Sequence, residues 1–91
     1  MKRLHNLKCW PEYFAALADG SKTFEVRYDD RGFEVGDSIC VQEYAPGPDE
    51  YTGRELFFEI TYKLSRDNYS PVTNGLYAGY CVLGLQRKER G

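Results

Sequence analysis

Two stretches of this chain alternate apolar and polar residues with a period of two, and that period constrains the fold more than any other feature. In "ELFFEITYKL", Leu56, Phe58, Ile60, Tyr62 and Leu64 share one face of an extended chain, and Phe57, Glu59, Thr61 and Lys63 the other. In "TFEVRY", Phe24, Val26 and Tyr28 alternate with Thr23, Glu25 and Arg27. Each pattern predicts a strand whose apolar face is buried. On this reading Phe24, Val26 and Tyr28 enter the core, while Thr23, Glu25 and Arg27 line the opposite, cleft side.

Around these strands the other elements are short. "WPEYFAALADG" has Pro11 where a missing N–H does no harm, Phe14, Leu17 and Ala18 at helical spacing and Gly20 as a stop, which predicts a helix from about residue 11 to 19. "HNLKC" reads as a first strand, "DDRG" as a turn, "DSICVQEY" as a strand with Ile39 and Val41 inward, and "YCVLGL" as a last, mostly buried strand. Residues 45–54, with two prolines and two glycines, read as a connection; residues 66–79 lack either period and read as a lid or flexible edge; residues 86–91 read as a solvated tail. Ninety-one residues hold one core. The expected fold is a single domain, mainly β with a short helix (α+β), forming a small, partly closed barrel of about five or six mixed strands, because closure removes exposed edges.

Charge and cysteine usage narrow the function. With 12 Lys and Arg against 14 Asp and Glu the formal charge is -2, and neither half of the chain is basic. Non-specific grip on duplex backbone needs many cations on one face, so a small or single-stranded ligand is favoured. Cys9, Cys40 and Cys81 are odd in number and form no C-x-x-C pair, which argues against a disulfide framework and a zinc knuckle and for a reducing, cytoplasmic setting. No stretch approaches 18 apolar residues, so no membrane span is expected. A lone His5 makes a metal site improbable and reads as a strand-end polar residue. Cys40 and Cys81 read as core fillers, and Gly36-Asp37 as a turn between strands. No cofactor is implied.

The candidate site is the polar face of "SKTFEVR". Thr23, Glu25 and Arg27 would form a ladder of hydroxyl, carboxylate and guanidinium, with Lys22 at its start. Arg donates to carbonyl or phosphate oxygen, Glu accepts from an exocyclic amine and Lys supplies a mobile charge, a set that suits a nucleobase or nucleotide. Lys8, Arg31 and Trp10 complete the candidate contacts, Trp10 either stapling the helix or stacking on a base. The alternative is that Glu25 and Arg27 pair with opposite charges and merely keep the face wet.

"H-x-L-K", "PEYFAALADGSKTFEVRYDDRGFEVGD", "EYTGRE" and "GYCVLGL" together resemble a family of small bacterial and phage proteins of unknown function in the ASCH-like branch of the PUA-like superfamily. The resemblance covers nearly the whole chain. It implies a PUA-like pseudo-barrel and a cleft beside G-x-K-T that binds RNA, lined by Lys22, Thr23, Glu25 and Arg27. Some ASCH proteins are amidohydrolases that deacylate N4-acetylcytidine with a Lys, a Thr three residues later and a later Glu. Lys22 matches that Lys, but the position three residues on is Glu25, Thr23 is one residue on, and Glu55 and Glu59 are the candidates for the later Glu. The resemblance therefore implies a binding module for RNA or a modified nucleotide. The alternatives are an amidohydrolase using Lys22, Thr23 and Glu25, and a protein-interaction module.

Overall fold

The computed structural model describes residues 2–65 and 76–89. The elements are β1 (Leu4–Cys9), α1 (Pro11–Asp19), β2 (Phe24–Tyr28), β3 (Ser38–Ala45), β4 (Glu50–Ser65) and β5 (Tyr80–Lys88). All five strands lie in one sheet in the order β1-β3-β4-β5-β2; β1 runs parallel to β3 and every other pair is antiparallel. The sheet curls into a half-barrel. Its concave face holds Leu7, Ile39, Val41, Phe58, Ile60 and Leu83, capped by Phe14 and Leu17 of α1 and by Phe33. No helix among the described residues is long and apolar enough to cross a membrane.

The helix forms where its punctuation places it. Pro11 stands in the first turn, Trp10 precedes it in extended conformation, and Gly20 ends it at φ 85°, the left-handed region that favours glycine. That reversal lets Lys22 N donate to Ala16 O at 3.0 Å, which brings Lys22 back beside the sheet.

The loop 29–37 carries an aromatic plug. Asp29 accepts from Phe33 N (3.0 Å) and from Lys63 Nζ (2.5 Å), and Phe33 is driven into the core at 1% exposure. Asp37, fully buried, accepts from Arg3 N (3.1 Å), Glu34 N (3.1 Å) and the His5 ring (2.8 Å). The His5 ring meets Phe33 edge-on at 4.7 Å. So "D-R-x-F-x-V-G-D" (residues 30–37) is a structural motif: its last carboxylate, Asp37, and that of Asp29 just before it take the place of water for buried and half-buried donors, as such groups require. Gly36-Asp37 is a turn, as its sequence suggests, and His5 is part of the scaffold.

The strand faces depart from the sequence reading in two places. In β2 the faces are reversed: Glu25 is 4% exposed, while Phe24, Val26 and Tyr28 lie open at 43%, 49% and 57%. The ladder decides this. Glu25 pairs with Leu83 and Arg27 with Cys81, both wholly buried, whereas Phe24, Val26 and Tyr28 pair with Gly84, Val82 and Tyr80 on the convex face. Opposed residues of an antiparallel pair share a face, so the orientation of β5 fixes that of β2. In β4, Leu56, Phe58 and Ile60 are buried, but the register slips between Ile60 and Tyr62. One extra residue reverses the alternation, so Lys63 turns inward to Asp29 and Tyr62 stands 64% exposed.

Two boundaries also move. The connection after β3 is only the turn 46–49, since Glu50 and Tyr51 already pair with Ala45 and Tyr44. Residues 86–88 are not tail but strand, paired with Glu59, Phe58 and Phe57. The lid expected over 66–79 lies outside the described residues for 66–75, as do residues 90 and 91 of the tail.

Candidate functional site

Among the described residues neither β1 nor β2 has a second strand neighbour, and the gap between these two edges is bridged by side chains. Arg27 Nη2 donates to Lys8 O at 2.8 Å and Arg31 Nη1 to Asn6 O at 2.6 Å. Two guanidinium groups thus stand where a closed barrel would have ladder hydrogen bonds.

At this seam Glu25 projects inward between two cations. Lys22 Nζ donates to its Oε1 at 2.7 Å and Arg27 Nε to its Oε2 at 3.0 Å. The Lys22 and Arg27 side chains are 22% and 28% exposed, so each keeps a wet side. Both carboxylate oxygens are engaged, which makes Glu25 a holder of cations rather than a free acceptor. Lys22 lies 5.5 Å from the Tyr13 and Phe24 ring centres, within cation–π range.

Behind Glu25 lies a second layer that the sequence reading missed. Cys9 and Glu43 are paired in register on β1 and β3 and both are buried. Glu43 accepts from Thr52 Oγ1 at 2.8 Å and faces Arg54 Nη1 at 3.6 Å. Burial, with the Glu25 carboxylate adding to it, pushes the Cys9 thiol up to about 11, which makes it a poor nucleophile near neutrality. Glu43 was recoverable: it continues the alternation that puts Ile39 and Val41 inward. Cys9 beside Glu25 was not, because nothing local announces that β1 and β2 face each other across a seam.

The sequence-predicted residues separate accordingly. Lys22, Glu25 and Arg27 come together. Lys8 contributes its carbonyl to Arg27, while its ammonium lies 4.1 Å from the Tyr44 ring centre. Arg31 closes the seam beside Asn6. Thr23 is exposed just before β2 and uses its carbonyl to accept from Leu85 N at 3.0 Å. Trp10 is half exposed at the head of α1, where its carbonyl accepts from Phe14 N at 2.9 Å. An open groove of about 630 Å³ lies elsewhere, lined among others by Gly53, Glu55, Phe57, Arg87 and Lys88; Glu55, a candidate for the later Glu of the amidohydrolase reading, stands there, apart from Lys22, Glu25 and Arg27. Among the described residues no group of three or more His, Cys, Asp or Glu is placed to hold a metal ion.

A five-stranded mixed half-barrel with one capping helix and a charged seam is the class of protein that this fold and site define. Residues 4–85 match the model of a family described as "Domain of unknown function (DUF3850)", and the chain belongs to that family. The chain is also similar to the "Uncharacterized 12.9 kDa protein in GpA 3'region" of Escherichia phage P2, with 34% identity over 61 residues. That match covers 67% of this chain and 54% of the phage protein, so the chain spans about half the length of this relative.

Proposed function

We propose that this protein is a binding module of the ASCH-like, PUA-like kind for a single-stranded RNA or a nucleotide, held at the seam by Lys22 and Arg27. The observation that carries the reading is the buried Glu25 carboxylate that fixes both cations, at 2.7 Å and 3.0 Å, beside exposed rings of Tyr13 and Phe24. The three groups sum to one net positive charge. Lys22 and Arg27 retain N–H groups beyond those spent on Glu25 and Lys8, and such donors suit a phosphate oxygen. The neighbouring aromatics, with Trp10 at the head of the helix, offer faces on which a base stacks. The ligand is therefore read as an anion carrying a planar base, its charge met by the cations rather than its amine by Glu25.

Amidohydrolysis has less support. The position of the nucleophile is taken by Glu25, which grips the lysine that would act as base, and Thr23 lies outside the triad. The decisive experiment is a fluorescence-anisotropy titration with labelled single-stranded RNA and competition by mononucleotides, beside a chromatographic assay for cytidine released from N4-acetylcytidine. Lys22→Ala and Arg27→Ala should each weaken binding by about 1 to 3 kcal/mol. Affinity should fall shallowly with salt, since only a few cations can reach the ligand. Rapid deacylation that disappears in Lys22→Ala would replace the binding module with the enzyme, and the absence of saturable binding would remove the seam as a ligand site.

A further inference from the structure

Among the described residues, the reversal of β2 leaves an apolar sheet face without a cover. On the convex side of β2, β5 and β4, residues stand in rows set by the ladder: Phe24 beside Gly84 and Tyr62, Val26 beside Val82 and Leu64, Tyr28 beside Tyr80. Tyr28 and Tyr80 meet edge-on at 5.4 Å. Phe24, Val26, Tyr28, Tyr62 and Tyr80 are between 40% and 64% exposed, on adjoining rows of the ladder. None of the eight positions in these rows is charged, in a chain that is 29% Asp, Glu, Lys and Arg. Beyond the rows, exposed Glu59 and Gln86 begin a polar rim.

We infer that this face is the contact between two copies of the chain, packed face to face about a two-fold axis. Two properties favour a second copy. The first is area: with a full aromatic side chain worth about 150 to 250 Å², these exposures leave on the order of 500 Å² of contiguous apolar surface. That is near the upper end for a free monomer, roughly 300 to 600 Å². At the roughly 65% apolar fraction of homodimer interfaces it corresponds to a contact of about 800 Å² per partner, the standard size for a stable complex. The second is self-compatibility. A two-fold contact places each patch against itself, so any charge near the axis would meet its own kind; an uncharged face of tyrosine, phenylalanine and valine escapes that repulsion. The face lies on the opposite side of the sheet from Glu25, so pairing leaves the Lys22–Glu25–Arg27 cluster and the Tyr13 ring free and covers only Phe24 of the two rings beside Lys22.

Sedimentation velocity across micromolar to sub-millimolar concentrations tests this. The mass should rise with concentration from the monomer value of 10.5 kDa to twice that value. Val26→Lys and Tyr62→Arg, both at exposed positions, should hold the protein monomeric with an unchanged circular dichroism spectrum. Tyr51→Arg, an exposed tyrosine at the far hairpin, should still pair. In the unmodified protein, hydroxyl-radical labelling of Tyr28, Tyr62 and Tyr80 should fall as concentration rises, a readout that no folding defect can mimic. A monomer at every concentration, a dimer that survives both substitutions, or undiminished labelling of the three tyrosines would each overturn the inference. Capture of a different protein on this face by a chain that stays monomeric would do the same.

Discussion

Arg27 and Lys8 join the two edge strands of the sheet: the guanidinium of one donates to the carbonyl of the other at 2.8 Å, where no backbone ladder runs. The same guanidinium holds Glu25 at 3.0 Å. One side chain therefore links the closure of the half-barrel to the charge of the candidate site.

Glu25→Gln removes the charge on which Lys22 and Arg27 converge. Breaking a fully buried ion pair costs about 3 to 5 kcal/mol. Here both cations keep a wet side, and solvent screens part of the loss. The expected destabilisation is roughly 1 to 3 kcal/mol in urea unfolding, together with weaker ligand binding as the cations lose their positions. A variant as stable as the parent would mean that the triad contributes nothing to closure.

Arg31→Ala separates closure from binding. Arg31 spends its guanidinium on Asn6 O at the seam and is 43% exposed. Its loss should cost about 1 kcal/mol and speed amide exchange along β1. RNA affinity should stay unchanged. An affinity loss as large as that of Arg27→Ala would place Arg31 in the ligand site.

Acid should unfold this protein through its aspartates. Burial alone would raise the Asp37 carboxyl, but hydrogen bonds from the His5 ring, Arg3 N and Glu34 N overcome it and hold it at about 2, against 3.8 for the free group. Asp29 is shifted the same way: burial opposes, and Lys63 and Phe33 N prevail. A carboxyl with a depressed folded value contributes stability that is complete above the unfolded value and is lost as pH falls through the folded one. Urea midpoints should thus hold steady down to pH 3.8 as far as Asp37 is concerned, and decline from there to about pH 2. Asp37→Asn should flatten that decline while lowering stability at neutral pH, and an equally steep decline in the variant would assign the acid sensitivity elsewhere.

The thiols should be silent in the folded protein. Cys9, Cys40 and Cys81 are all buried. Burial raises Cys81 as well as Cys9, the latter to about 11. A chromogenic disulfide reagent near neutral pH should label none of the three quickly, and all three after urea unfolding. Rapid reaction of Cys9 in the native protein would reveal an open path through the seam.

Local residue pattern marked where each element lies, though not every end: residues 50–54 and 86–88, which read as connection and tail, belong to β4 and β5. Pro11 and Gly20 bracket the helix because one cannot donate inside it and the other alone takes φ 85° at no steric cost. The period of two marked β2, β3 and β4, and it put Ile39 and Val41 inside, where both are 0% exposed. It also brought Lys22, Glu25 and Arg27 to one stretch. What it could not carry was the sign of a face, because alternation is the same whichever side is turned in. In β2 the pairing of Glu25 with Leu83 and Arg27 with Cys81 settled it, against the apolar side of the strand, since two cations could neutralise the buried carboxylate. In β4 one inserted residue after Ile60 sent Tyr62 outward and Lys63 to Asp29. Parity is a local property; the direction of the core belongs to the whole sheet and is set by how the strands pair.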